Sequence, residues 1–272
     1  MQRLKRLRAY FPFTLNVFQR ILSYKANVLI FMMGEIMMLT VTYFLWQAIF
    51  ASSPDRVLHG FTQGEMVLYV LVSFLTALIT SVDITYDISR EVKDGTIAIN
   101  LIRPVSYEMR MLFQALGNVL YNFVVIFAGA LAAVSWLFYK STGAFHGGTL
   151  FFYLLSILLG IFINFYFSYA FGLLSFKITN MWGMSQIMQA IVQLFSGALI
   201  PLAFFPSIFQ RLIAFLPFSS LIYTPTMIYL EKLTGEAMVR AMLLQVLWLF
   251  ILMGVSRLLW KALVKNLTIL GG

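Results

Sequence analysis

Hydrophobic residues in this chain come in long runs rather than in alternation. Six runs approach the roughly 20 residues a helix needs to cross a bilayer: 28–50, 66–82, 112–138, 150–176, 184–204 and 238–260. The second is the shortest, and its pattern predicts a helix that continues past its apolar part.

Three stretches break the pattern. Residues 9–26 carry Phe13, Val17, Phe18 and Ile21 at helical spacing, with Arg20 and Lys25 between or beyond them. An amphipathic helix lying in the inner membrane interface is expected there. Residues 201–236 are apolar but divided by Pro201, Pro206, Pro217 and Pro225. An interior proline costs a helix about 3 kcal/mol. Short re-entrant helices dipping into the outer leaflet, shielded by protein, fit that pattern. Residues 83–110 are charged. Asp83, Asp87 and Glu91 are four apart and form one acidic stripe if the second helix continues. Arg90 is placed to pair with Asp87. Gly95 suits a left-handed helix end and Lys93 a last turn. A short helix over 96–102 puts Ile97 and Leu101 on one side, and Pro104 closes it. Ser106 then caps the third long helix, with Glu108 in its first turn.

The fold class read from this pattern is all-α and integral to the membrane: one transmembrane domain over 1–272, with six transmembrane helices. Composition agrees. Only 11% of residues are charged and 61% are hydrophobic, against about 25% charged in a soluble domain, so water could not solvate the surface. The absence of cysteine rules out disulfide frameworks, thiolate metal sites and thiol catalysis. No small-residue cleavage site follows the basic N-terminal segment, so a cleaved signal peptide is not expected. The net charge of +9 sits at the ends of apolar runs, which points to membrane orientation rather than nucleic acid. Of 19 Lys and Arg residues, six crossings put all but Arg56, Lys140, Arg211, Lys232 and Arg240 on one side. That side is cytoplasmic, and it holds both termini and the 83–110 stretch.

A solvated loop explains the charges of 83–110 but not Ile97, Ile99, Leu101 and Ile102. A docking knob explains both, with apolar anchors and a charged rim. The stretch "EVKDGTIAINLIRPVS" resembles the cytoplasmic loop between spans two and three in permease subunits of type-2 ATP-binding-cassette exporters, through Glu91, Gly95 and Leu101 to Pro104. "SGALIPLAFFPSIFQRLIAFLPFSSLIYTP" is similar to that family's segment after span five, through Ser196, Gly197, Pro201, Pro206, Pro217 and Pro225. The resemblance implies a permease that dimerises with a second copy or a paralogue in a bacterial inner membrane. It also implies coupling to separate ATPase subunits through Glu91, Gly95, Ile97, Leu101, Arg103 and Pro104. ATP and Mg would then be bound by the partner and no cofactor by this chain. In keeping with that, the phosphate-loop pattern G-x-x-x-x-G-K-[ST] is absent.

Catalytic residues are not expected. His59 and His146 share no metal-ligand spacing, and no Ser-His-Asp pattern is present. Glu35 stands inside the first span, where a carboxylate is costly and defaults to function. The alternative is that it reaches Lys25 or the inner headgroups. Gln186, Gln189, Gln193 and Ser196 form a polar stripe on span five. Span four carries Gly160, Asn164, Ser168 and Gly172, and span three carries Asn118 and Asn122. Two readings stand for these: close helix packing with amide bonds across helices, or a substrate path between permease halves. Two other classes remain open, a lipid-modifying membrane enzyme and a non-transporting scaffold. A drug, antibiotic, peptide, lipid or glycan would all suit the exporter reading.

Overall fold

A computed structural model of the chain describes residues 7–55, 57–142, 147–178 and 181–266. It is helical apart from one two-stranded hairpin, β1 (Val57–Leu58) and β2 (Phe61–Thr62). Five helical stretches, counted through their short interruptions, are long and apolar enough to cross a membrane: Val28–Ser52, Gln63–Lys93, Tyr107–Trp136, Gly147–Phe176 and Gly235–Leu263. This is a multi-pass membrane protein.

The amphipathic N-terminal segment forms α1 (Phe11–Ser23). It does not lie free. It packs along α6 (Tyr107–Asn122), with Val17 buried and Phe13, Phe18 and Ile21 partly covered. Thr14 Oγ1 donates to the Phe113 carbonyl at 2.7 Å, and Tyr10 stacks on Phe113. After α1, α2 (Lys25–Ser52) stands largely outside the bundle. The β-hairpin leads to α3 (Gln63–Thr80), which opens with a capping box between Thr62 and Glu65.

The second apolar run does not continue as one helix. It stops at Thr80, passes through an irregular turn at 81–84, and resumes as α4 (Thr85–Lys93). The acidic stripe is therefore split, with Asp83 in the break and Asp87 and Glu91 on α4. The cause is visible in the hydrogen bonds. Side chains from neighbouring helices take over the carbonyls that the α3 end leaves unsatisfied, and Asp83 Oδ1 accepts from the Thr85 N–H at 3.0 Å.

Beyond α4 the chain turns at Gly95, whose φ of 69° is left-handed, as its place in the sequence predicts. The short helix α5 (Ile97–Leu101) follows, and Ser106 caps α6 through the Met109 N–H. A π-helical turn, Phe123–Phe127, joins α6 to α7 (Ala128–Thr142). Next come α8 (Gly147–Gly172) and a 3-10 turn, Leu173–Phe176.

The fifth apolar run gives only α9 (Trp182–Phe195). Its 14 residues rise about 21 Å at 1.5 Å each, short of the roughly 30 Å hydrocarbon core. Gly197, at φ 84°, turns the chain at its end. The proline-divided segment folds as 3-10 turns and two short helices, α10 (Ser207–Phe215) and α11 (Tyr223–Tyr229). Last is α12 (Gly235–Leu263), which lies along α8. Gln245, fully buried on α12, donates to the Ser156 and Ser220 carbonyls at 3.2 and 2.8 Å. An amide in the middle of an apolar helix is thereby satisfied, and it fixes α12 against both α8 and the turn before α11.

Candidate functional site

The break between α3 and α4 organises the interior. Three carbonyls near it find side-chain donors on other helices. Asn122 Nδ2 donates to Leu78 O at 2.8 Å, Asn164 Nδ2 to Thr80 O at 2.7 Å, and Ser168 Oγ to Val82 O at 2.9 Å. In the other direction, Thr85 Oγ1 donates to the Ser168 carbonyl at 3.1 Å. Irregular backbone at membrane depth survives only where protein satisfies it, and these polar residues do so. Part of the polar pattern on spans three and four is thus packing: Asn122, Asn164 and Ser168 hold a broken helix, while Gly172 lies against Thr85 and Ile88.

Next to the break lies a cavity of about 440 Å³, bounded chiefly by α2, α3 and α9. Seven residues of the polar pattern singled out in the spans line it: Glu35, Asn122, Asn164, Ser168, Gln189, Gln193 and Ser196. Asn118 and Gln186 do not, so the stripe on α9 reaches the cavity only from Gln189 onward. Gln189 Nε2 donates to Asp83 Oδ2 at 2.6 Å, tying α9 to the break. Asp83 is a cavity residue that a reading of it as part of a helical acidic stripe misses. Its signal was the polar residues Thr80, Ser81 and Asp83 close together at the end of an apolar helix.

The 83–110 stretch forms an elbow with a buried strut. Glu91 accepts from Arg110 Nη2 at 2.8 and 2.6 Å and from the Tyr107 hydroxyl at 3.0 Å. The Arg110 side chain is only 4% exposed, and its guanidinium lies over the Tyr107 ring, 4.9 Å from the centroid. Tyr107 stacks on Trp260 of α12 at 5.2 Å. Glu108 accepts from the Tyr166 hydroxyl at 3.0 Å and lies 3.7 Å from Arg257. The elbow is therefore fastened to α8 and to the last helix. Asp87 and Arg90 pair at 3.2 Å on its exposed side.

The apolar residues of α5 divide otherwise than anchors for a partner would. Ile97 is fully buried within this chain, whereas Leu101 packs against the core while staying partly exposed. Their four-residue spacing does set one face, but that face points into this chain. The exposed apolar residues are Ile99 and Ile102, the latter 83% exposed. Arg103 and Pro104 beside them are exposed as well.

Elsewhere, His59 rests on the Phe204 ring at 4.7 Å, and His146 lies outside the described residues. Among the described residues, no three His, Cys, Asp or Glu side chains gather as a metal site would require. Lys232 bridges to Glu65 at 2.7 Å and donates to the Gly60 carbonyl at 2.8 Å, closing the hairpin onto the turn after α11.

No curated protein matches the sequence. A family described as "ABC-2 family transporter protein" does match, over residues 36–271. That span runs from within α2 to the end of the chain and takes in the interrupted helix, the elbow and the cavity walls, while α1 lies outside it. With a match over well beyond half of its length, the chain belongs to the ABC-2 family of transporter proteins.

Proposed function

We propose that this chain is the permease subunit of an ATP-driven exporter, paired with a second copy or paralogue and coupled through 83–110 to a separate ATPase. The observation that carries the reading is the interrupted helix. Its break lines the cavity through Ser81, Val82 and Asp83, and its continuation α4 ends in the elbow. The same segment of chain thus runs from the proposed substrate path to the proposed docking element. Glu91, Gly95, Ile97 and Leu101 hold the shape of the elbow. Ile99, Ile102, Arg103 and Pro104 are the surface it offers. ATP and Mg on the ATPase would draw the two elbows together and tilt α2, α3 and α9. The work is done by the difference in ATPase affinity for the two conformations.

This function needs both ends of the chain and the elbow in the cytoplasm, hence six crossings. The short α9 and the segment up to residue 204 would complete the fifth together. α10 and α11 would be re-entrant on the outer side, and α1 would lie in the inner interface. The chain has no cysteine of its own, so single cysteines report cleanly. Cysteines at Lys93 and Lys265 should react only from the cytoplasm, and one at His59 only from outside. Reaction of positions 93 and 265 from opposite faces would leave five crossings and end this topology.

The docking test is Ile102→Asp. An apolar hot spot lost at an interface costs about 2 kcal/mol or more, roughly thirtyfold in affinity. Ile102 is exposed, so the permease should elute from size exclusion unchanged while the ATPase no longer co-purifies. Leu101→Asp should lose the ATPase and also destabilise the permease. Full ATPase retention and transport by Ile102→Asp would reduce the elbow to a connecting loop.

A further inference from the structure

We propose that the cavity selects amphipathic cations, meaning compounds with an apolar or aromatic body and a positive charge. The inference rests on the cavity being the substrate path and gives that path a chemical class.

The side chains around the cavity carry charge of one sign. Glu35 of α2 and Asp83 of the break line it, and no lysine, arginine or histidine does among the described residues. The two carboxylates are not equivalent. Asp83 already accepts from the Thr85 N–H and from Gln189 Nε2. Glu35 has neither a hydrogen bond nor an ion pair among the described residues. A carboxylate inside a span is retained against a steep cost, and its usual use is to meet an ion or a charged substrate.

The backbone adds to the same field at the end of α9, while at the break the end of α3 is offset by the start of α4 at Thr85, whose N–H the Asp83 carboxylate already meets. α3 ends at the cavity wall at Thr80, and α9 ends there at Phe195, just before Ser196. Each helix C-terminus acts as about half a negative charge, and half-helix C-terminal ends at membrane depth favour cations. The carbonyls of Thr80 and Ser196 are taken by Asn164 and by the Tyr223 N–H, so the field of α9 acts on an occupant without direct backbone ligation. A charge near Glu35 is thus the specific contact. The rest of the wall suits the body of the compound, with Phe31, Met38, Phe74 and Val192. Gln193, whose side chain has no hydrogen-bond partner among the described residues, is free to orient it. The volume of about 440 Å³ lies within the roughly 300–1,000 Å³ usual for small-molecule sites. An anionic lipid or a glycan phosphate would meet repulsion from the Glu35 and Asp83 carboxylates.

The test uses the full chain in nanodiscs of zwitterionic lipid, with rhodamine 6G binding followed by anisotropy. Tetraphenylphosphonium and tetraphenylborate, alike in shape and opposite in charge, serve as competitors, corrected for partition into empty nanodiscs. The phosphonium should displace the dye and the borate should not. Glu35→Gln should weaken dye binding about tenfold, and Glu35→Asp should restore most of it. If the borate competes equally, charge selection is wrong. It is also wrong if Glu35→Gln binds normally while Gln193→Leu binds weakly, although the path reading then survives. If none of Glu35→Gln, Gln189→Leu and Gln193→Leu changes dye binding, the path reading falls as well. The comparison of the two competitors on the unaltered chain decides the matter even if Glu35→Gln does not fold.

Discussion

Glu91→Ala should cost the folded protein about 3–5 kcal/mol, the usual penalty for removing one partner of a buried ion pair. The pair qualifies as buried, with side-chain exposures of 4% for Arg110 and 15% for Glu91. Loss of the carboxylate strands the guanidinium, whose Nε already lacks a partner, and frees the Tyr107 hydroxyl. Gln114 Oε1, 3.2 Å from Arg110 Nη1, is neutral and does not replace the charge. Arg110→Ala should cost a similar amount by stranding Glu91. The double variant Glu91→Leu with Arg110→Met should recover most of the stability, since apolar replacement of a whole buried pair is often neutral or better. Trp260, stacked on Tyr107, supplies an intrinsic fluorescence signal for thermal unfolding in detergent. If Glu91→Ala loses no more than the roughly 0–1 kcal/mol of an exposed pair, the strut is not structural. The functional consequence is separate and equally testable. The recovered double variant should bind the ATPase, because its outer surface at Ile99 and Ile102 is untouched.

Gly117→Leu should detach α1 from α6. A Cβ at 117 would stand 2.7 Å from the Thr14 carbonyl oxygen and 2.7 Å from Val17 Cβ. The first of these is backbone and cannot rotate away. Overpacking of this kind costs about 1–3 kcal/mol, and the remainder of a leucine side chain adds to it. The hydrogen bond from Thr14 to Phe113 and the stack of Tyr10 on Phe113 would be lost together. Limited trypsin digestion at Arg20, followed by mass spectrometry, reads the outcome. Cleavage should quicken in Gly117→Leu while the rest of the chain keeps its fragment pattern. Unchanged cleavage together with an unchanged melting curve would mean that α1 tolerates displacement and the close approach is incidental.

The apolar runs revealed the long helices because burial in a bilayer leaves no choice of pattern. Local signals were equally legible: Ser106 as a cap, Gly95 as a left-handed turn, the pairing of Asp87 with Arg90. The break at 81–84 was not legible, since the donors that make it tolerable, Asn122, Asn164 and Ser168, arrive from helices far along the chain. For the same reason the sequence could not say which face of α5 points inward. Ile97 and Ile99 are alike in chemistry, and only the packing of α5 against its neighbours separates them. The polar residues of spans one, three, four and five were found as candidates by their cost. Their division into helix holders and cavity walls depends on distances between helices. Glu91 illustrates the limit well: its place in a family-like motif drew attention to it, but its partner Arg110 lies 19 residues on.

The seat of α1 also sets an order of events during synthesis. Thr14 and the Phe113 carbonyl it bonds are 99 positions apart. At about 5–20 residues per second, that is roughly 5–20 s in which α1 has been translated and its docking surface on α6 has not. Through that interval its exposed face of Phe13, Val17, Phe18 and Ile21 needs another apolar host, which the headgroup region beside the translocation channel can provide. α1 would then behave as a first tenant of the membrane surface, reaching its final seat only after two further passes of the chain have been threaded.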